Sequence, residues 1–189
     1  VCILIVGWGY YKMSDQVFDY FKRDKLESKL PPIKKLSDNT IREINIQASK
    51  SPIVIGVSVT TVNFQKNSKY IIFLQAYTSD LENSFSKYNI LNLELPAFTQ
   101  NTIQNSRIVD LINGDFVCDD YTQLGLASEM PESAEIITTV CSTGIPPYYG
   151  KFVGAVNVYL KRKPTSEEFD QLRVLAKNLS TTVYDRELK

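Results

Sequence analysis

Lys151-Phe-Val-Gly-Ala-Val-Asn-Val-Tyr-Leu160, continued by Lys161-Arg-Lys-Pro-Thr-Ser-Glu-Glu168, reads as a strand that runs into a capped helix. Thr165 and Glu168 stand at capping-box spacing, where a hydroxyl and a carboxylate satisfy the first free N–H groups of a helix. Phe169, Leu172, Leu175, Ala176, Leu179 and Val183 then recur at helical spacing, so this last helix has one apolar face to bury. Upstream, Ile136 to Val140 is a second strand, separated from the first by the loop Gly144-Ile-Pro-Pro147.

Further out, Ile53 to Val62 alternates, with Ile53, Ile55, Val57 and Val59 on one face of a strand. Tyr70-Ile-Ile-Phe-Leu-Gln-Ala-Tyr77 is its hairpin partner through the polar turn Gln65-Lys-Asn-Ser68. A helix with an N-cap in Leu36-Ser37-Asp38-Asn39-Thr40 carries Ile41, Ile44 and Ala48 and ends before Pro52. Ser79 to Phe85 is a short helix with Ser79 and Glu82 at capping-box spacing. Thr99 to Asn113 is a longer one, with Ile103, Ile108, Leu111 and Ile112 inward and Gly114 as its stop. Short links between consecutive strands require antiparallel pairing, and helices at both ends must cover the faces. The expected fold is therefore α+β, an antiparallel sheet of about four to five strands flanked by N- and C-terminal helices. The ending, strand, turn, strand and capped helix, resembles the close of a GAF or PAS-like domain, a likeness of fold alone.

Composition narrows the function. The 189 residues suit one domain with an appendage, residues 33–189 forming the soluble part. Lys plus Arg and Asp plus Glu number 21 each, so the basic excess of a nucleic-acid binder is missing. Histidine is absent, which removes the commonest general base and metal ligand. No enzyme activity, cofactor or metal site is expected. Cys2, Cys118 and Cys141 make no C-x-x-C pair. Cys118 and Cys141 are the candidate disulfide in an oxidising compartment, with two free buried thiols as the alternative.

Motifs with chemical meaning are weak. Gly7-Trp-Gly9 lacks the third glycine and the preceding strand of a dinucleotide loop. Ser84-Phe-Ser-Lys87 matches S-x-x-K and Ser142-Thr-Gly144 partly echoes K-T-G, but the lysine of the second element is missing. Asp110, Asp115, Asp119 and Asp120 carry oxygen ligands for a divalent ion, yet Asn113-Gly114-Asp115 is also an ordinary turn. Cys141 has no histidine to activate it. Lys161-Arg-Lys163 is either a solvated strand end or a contact for an acidic partner or lipid head groups. Tyr148 and Tyr149, beside Pro146 and Pro147, form a candidate interaction surface together with Phe18 and Phe21.

The N-terminus points to a tether. Val1-Cys-Ile-Leu-Ile-Val-Gly-Trp-Gly-Tyr-Tyr11 is too short to cross a bilayer, and Trp8, Tyr10, Tyr11 and Lys12 look like an interfacial belt. Residues 1–13 are expected to be the end of a transmembrane helix. Residues 14–32 are expected to be a juxtamembrane amphipathic helix and a Pro31-Pro32 linker.

Ile3 to Tyr11, then Phe18-Asp-Tyr-Phe-Lys-Arg-Asp-Lys-Leu-Glu27, resembles the membrane segment and following helix of the T-even-type, single-span (class III) bacteriophage holins. At the far end Cys141, Tyr149, Val153-Gly-Ala-Val-Asn-Val-Tyr159 and a last helix from Ser166 are similar to the same family. The resemblance implies a homo-oligomer in the host inner membrane, single-pass, with the C-terminal domain in the periplasm. It also implies timed host cell lysis by release of an endolysin, delayed by an antiholin bound to the periplasmic domain, with membrane lipid as a further partner and no nucleic acid. Lys12, Lys22, Arg23 and Lys25 favour the cytoplasmic side, so the periplasmic placement comes from the resemblance and not from charge. The alternative is a membrane-tethered GAF/PAS-like sensory or ligand-binding domain, which needs an apolar pocket with converging polar groups.

Overall fold

The computed structural model describes residues 33–189 apart from Lys34, Asn89 and Asn92. Helix α1 (Asp38–Ala48) leads into the hairpin of β1 (Val54–Asn63) and β2 (Ser68–Ala76), followed by α2 (Ser79–Ser86) and the three-residue β3 (Glu94–Pro96). Helix α3 (Thr102–Ile112), β4 (Phe116–Asp120) and the short helix α4 (Gly125–Glu129) come next, then β5 (Thr139–Ile145), β6 (Gly154–Leu160) and α5 (Ser166–Glu187). The six strands form one antiparallel sheet in the order β3-β2-β1-β6-β5-β4.

Strand β6 sits between β1 and β5, so its residues meet helices on both faces. Val156, Val158 and Leu160 point to one side, where they bury with Val57 and Val59 of β1 and with Ile44 and Ala48 of α1. Leu172, Ala176, Leu179 and Val183 of α5 close this layer, as their helical spacing requires. Ala155, Asn157 and Tyr159 take the opposite face by the two-residue period of a strand. There Leu81 and Phe85 of α2 pack with Ile55, Ile71 and Tyr159. Ile108, Leu111 and Ile112 of α3 pack with Phe152 and Ala155. Gly154 begins β6 because nothing larger fits: an added Cβ would lie 1.9 Å from the Thr60 carbonyl oxygen.

The architecture is the expected α+β one, with two strands more than the four read individually from the sequence. Both β3 and β4 are short, and β4 holds two aspartates that disguise its periodicity. Four local expectations change. The strand expected over 136–140 runs instead over Thr139–Ile145, so Gly144 and Ile145, expected in the loop, pair with β6. Ile55 does not share a face with Val57 and Val59, because the register against β6 slips between Val54 and Gly56 and turns Ile55 to the other side. Helix α2 has no capping box at Ser79 and Glu82: the Glu82 N–H reaches the Thr78 carbonyl, so the helix begins one residue earlier. Helix α3 is capped by Asn101, whose side chain accepts from the Ile103 and Gln104 N–H groups at 3.0 and 3.2 Å. Ile103 thus points to solvent. Gly114 closes that helix at a φ of 86°, where a side chain is strained.

The capping box of α5 is present as read, with Thr165 and Glu168 each bonded to the other's backbone. The far end of α5 caps α1. Glu187 accepts from the Ser37 N–H at 2.9 Å, the Ser37 hydroxyl at 2.8 Å and the Thr40 hydroxyl at 2.5 Å, placing a carboxylate at the start of α1. Two segments 150 residues apart are joined there.

The expected transmembrane end (1–13) and juxtamembrane helix (14–32), including Phe18 and Phe21, lie outside the described residues. Among the described residues no helix is long and apolar enough to cross a membrane. The placement as a single-pass protein of the host inner membrane is corrected accordingly.

Burial works to raise the Glu187 pKa, but the bonds from Thr40 and Ser37 outweigh it and bring the carboxyl below its usual range. A depressed carboxylate stabilises the fold above its unfolded pKa of about 4.3 and loses that contribution as pH falls through the folded value. Glu187→Gln is expected to cost about 1 kcal/mol at pH 7 in urea unfolding. The difference from wild type should shrink towards zero below about pH 4.

Candidate functional site

The sheet face opposite α1 and α5 carries polar residues where an apolar layer would be the default. Ser58, Asn157 and Ser142 stand directly opposite one another across β1, β6 and β5. Each is flanked in its strand by residues that face the apolar layer, so the alternation aims all three at α3. The next cross-strand row is Tyr159, Val140 and Asp119. Above them α3 lays down Gln104, Arg107, Ile108 and Leu111, a face at i, i+3, i+4 and i+7 that is half polar and fully buried.

Arg107 organises this layer. It is 7% exposed, pairs through Nη1 with Asp119, and donates through Nη2 to the Ser142 hydroxyl and to the Val140 carbonyl at 3.1 Å. A guanidinium only donates, so Ser142 must pass its own proton onward. Its hydroxyl donates to Asn157 Oδ1 at 2.5 Å, and Asn157 Nδ2 donates to the Ser58 hydroxyl at 3.1 Å. Ser58 and Tyr159 complete the chain at 2.8 Å. The relay therefore has one sense across three strands, imposed by the arginine at its end.

Burial pushes the Arg107 guanidinium below its usual range and Asp119 opposes the shift. A group whose ordinary value lies above about 12 remains a cation here. Burial raises Tyr159 to about 12 and also raises Tyr121, so both phenols act as neutral hydrogen-bonding groups.

Between this polar floor and the α3–α4 segment lies a partly enclosed recess of about 90 Å³. Apolar side chains such as Ile71, Leu95, Leu111, Leu126 and Phe152 wall it, and Lys69, Arg107, Asn157 and Tyr159 reach it. Gln104 closes one side, donating to the Pro96 and Ala97 carbonyls and accepting from the Gly125 N–H at 3.1 Å. Lys69 enters from β2. Burial, with the nearby Arg107 charge adding to it, pushes its ammonium down to about 8.

The candidates read from sequence fall elsewhere. Cys118 and Cys141 are directly opposed on β4 and β5 and are joined by a disulfide, on the face packed by α5. Asp119 turns to Arg107 and Asp120 to Lys163 at 3.1 Å, so adjacent aspartates serve opposite sides. No group of acidic or cysteine side chains suited to a metal ion occurs among the described residues. Ser84 bonds the Ser133 hydroxyl at 2.8 Å while Lys87 pairs with Glu132, so the S-x-x-K residues do not act on each other. Arg162 is held by Glu168 through two bonds of 2.8 and 2.6 Å, which ties this one residue of the basic run to the α5 cap. Tyr148 and Tyr149 are exposed on the β5–β6 loop, Tyr148 edge-on to Tyr184 of α5, away from the recess. Lys69, Gln104, Arg107, Asn157 and Tyr159 were missed. Their signal was polar residues at the buried phase of apolar strands and of a helix stripe.

No protein-family model and no curated protein matches the sequence. Solved structures share the fold. A GAF domain/HD domain protein from Geobacter sulfurreducens aligns with a TM-score of 0.53 at 12% identity, over 79% of this chain and 92% of that one. The GAF domain of a two-component sensor histidine kinase from Bacillus halodurans gives 0.53 at 10%, over 79% and 95%. A far-red cyanobacteriochrome photoreceptor gives 0.52 at 12%, over 96% and 99%. The chain thus has the fold of GAF sensory domains. None of these names a holin, and the expected holin and lysis role, with its periplasmic regulatory domain, is corrected. The strand ending in Tyr159 and the capped helix, which carried the far end of that resemblance, are elements of the GAF-type sheet.

Two substitutions test the layer. Asp119→Ala strands a buried cation and should cost about 3 kcal/mol in urea unfolding, at the low end for such a loss because Asp119 is partly solvated. The double change Arg107→Met with Asp119→Leu should recover most of that loss. For the disulfide, Cys118→Ser with Cys141→Ser should lower stability by about 3 kcal/mol. Reductant should shift the wild-type melt towards that of the double variant and leave the variant unmoved.

Proposed function

We propose that this chain is a ligand-binding sensory domain of GAF fold that holds a small molecule in the recess between the sheet and the α3–α4 segment, without catalysing its conversion. The observation that carries the reading is the polar floor of that recess. Burying an arginine and a three-strand relay costs desolvation that an apolar layer would avoid, and buried ion pairs are weak contributors to stability. Converging polar groups in an apolar cavity are what orient a ligand. The absence of histidine and the neutral phenols leave the floor suited to recognition rather than to proton transfer.

The volume sets the scale. Ligand pockets for drug-sized molecules span roughly 300–1,000 Å³. At about 90 Å³ this recess takes a compact molecule of a few heavy atoms, not a nucleotide or a tetrapyrrole.

Thermal melting of the full chain against a panel of compact metabolites tests the reading. A true ligand at a hundred times its Kd should add about 2.7 kcal/mol of stability. Ala155→Val, which narrows the recess from its floor, should abolish the shift while the protein still unfolds cooperatively. A panel without any shift, or a shift that survives Ala155→Val unchanged, would refute the proposal.

A further inference from the structure

The charges that line the recess do not balance, and the geometry points to a short-chain carboxylate monoanion as its occupant, held between Lys69 and Arg107. This rests on the reading of the recess as a ligand site.

Lys69 and Arg107 are the charged residues among the described lining, and both are cations. The one carboxylate paired to them, Asp119, contacts Arg107 from outside that lining. The lining itself thus holds two positive charges and no negative one, beside apolar walls. Lys69 has no carboxylate within ion-pair distance among the described residues.

Arg107 is also under-used. A guanidinium carries five N–H donors. Three are directed to Asp119, Ser142 and Val140, leaving two without a partner among the described residues, on a side chain only 7% exposed. No Arg107 nitrogen is among the buried atoms left without a partner, so the Nε N–H is accessible and open to an acceptor that enters. A carboxylate supplies two oxygens of the right charge.

The apolar walls select against a bare inorganic ion. Ile71, Leu95, Leu111 and Phe152 offer nothing to a phosphate or chloride, but they would shelter a few methylene groups. The recess has space for about three waters' worth of liquid volume, which matches a carboxylate with a short alkyl tail.

The lysine gives the site a pH signature. With its pKa at about 8 in the empty protein, Lys69 is charged at pH 7 and largely neutral at pH 9. Arg107 stays protonated over that range, and the Tyr121 and Tyr159 phenols stay neutral because burial raises both. Asp119, paired to Arg107, and Asp110, which acts on it at longer range, are the carboxylates that face it. Anion affinity should therefore fall as pH rises through about 8. A lysine with a lowered pKa destabilises the empty fold below that value, so stability without ligand should rise between pH 8 and the unfolded lysine value of about 10.4.

Isothermal titration of the full chain with butyrate, n-butylammonium, butyramide and inorganic phosphate, at pH 7 and pH 9, tests this. Butyrate should bind at pH 7 and weaken by pH 9, with the other three at least about tenfold weaker, as loss of a charged hydrogen bond implies. Lys69→Met should lose about tenfold or more in butyrate affinity and its pH dependence, while Lys69→Arg should keep the affinity and lose only the fall near pH 8. Melting curves establish that both variants fold. Equal binding of butyramide would overturn the carboxylate proposal and leave the ligand-site reading standing. Preferential binding of phosphate, or butyrate binding unchanged in Lys69→Met, would overturn it as well. Failure of all four probes would overturn it too, while the broader metabolite panel would still decide whether the recess is a ligand site.

Discussion

Arg107 carries a charge that α3 removes from water, and the arrangement of one whole side of the sheet answers that charge. An arginine in this position must find a carboxylate and a set of acceptors or the fold loses several kcal/mol, roughly 3–5 for a stranded partner. Asp119 on the edge strand supplies the carboxylate, and the Val140 carbonyl and Ser142 supply acceptors on the next strand. From Ser142 the donor direction is forced through Asn157 to Ser58. The network specifies the register of β1, β6, β5 and β4 against one another, since a slip of one residue in any of them would turn its polar member into the apolar layer.

The two sheet faces thus divide the work. Under α1 and α5 the core is apolar, built from Val57, Val59, Val156, Val158 and the α5 stripe, and closed at its rim by Glu187 capping α1. This side secures the domain. Under α3 and α4 the core is interrupted by polar side chains and by the recess. Strand β6 belongs to both, with Val156 and Val158 in one layer and Asn157 and Tyr159 lining the recess.

Much of the fold was legible in the chain. The alternation of β1, β2 and β6, the caps at Ser37 and Thr165 and the stripe of α5 each follow from a local rule, and the structure places them close to their expected bounds. The recess was not legible in the same way. The apolar stripe of α3 places Ile103 inward, but it is 41% exposed, and Gln104 and Arg107 share the buried face. Ser58 and Asn157 lie at the phase opposite the α5 layer within expected strands, whereas Ser142 falls outside the strand expected over 136–140. Ile55 changed sides through a register slip that no periodicity reveals.

By itself the sequence determined the class of fold, because alternation with period two, helical stripes and capping residues are short-range properties written in neighbouring residues. It also determined that histidine chemistry is unavailable. Only the tertiary structure decided which charges meet. Lys69 of β2 and Arg107 of α3 face one recess because β1 and β6, which lie between β2 and the strands under α3, form its floor. Asp119 serves Arg107 rather than its neighbour Asp120 because successive residues of β4 point to opposite faces. Such pairings depend on strand order and register, which are set by contacts between residues far apart along the chain.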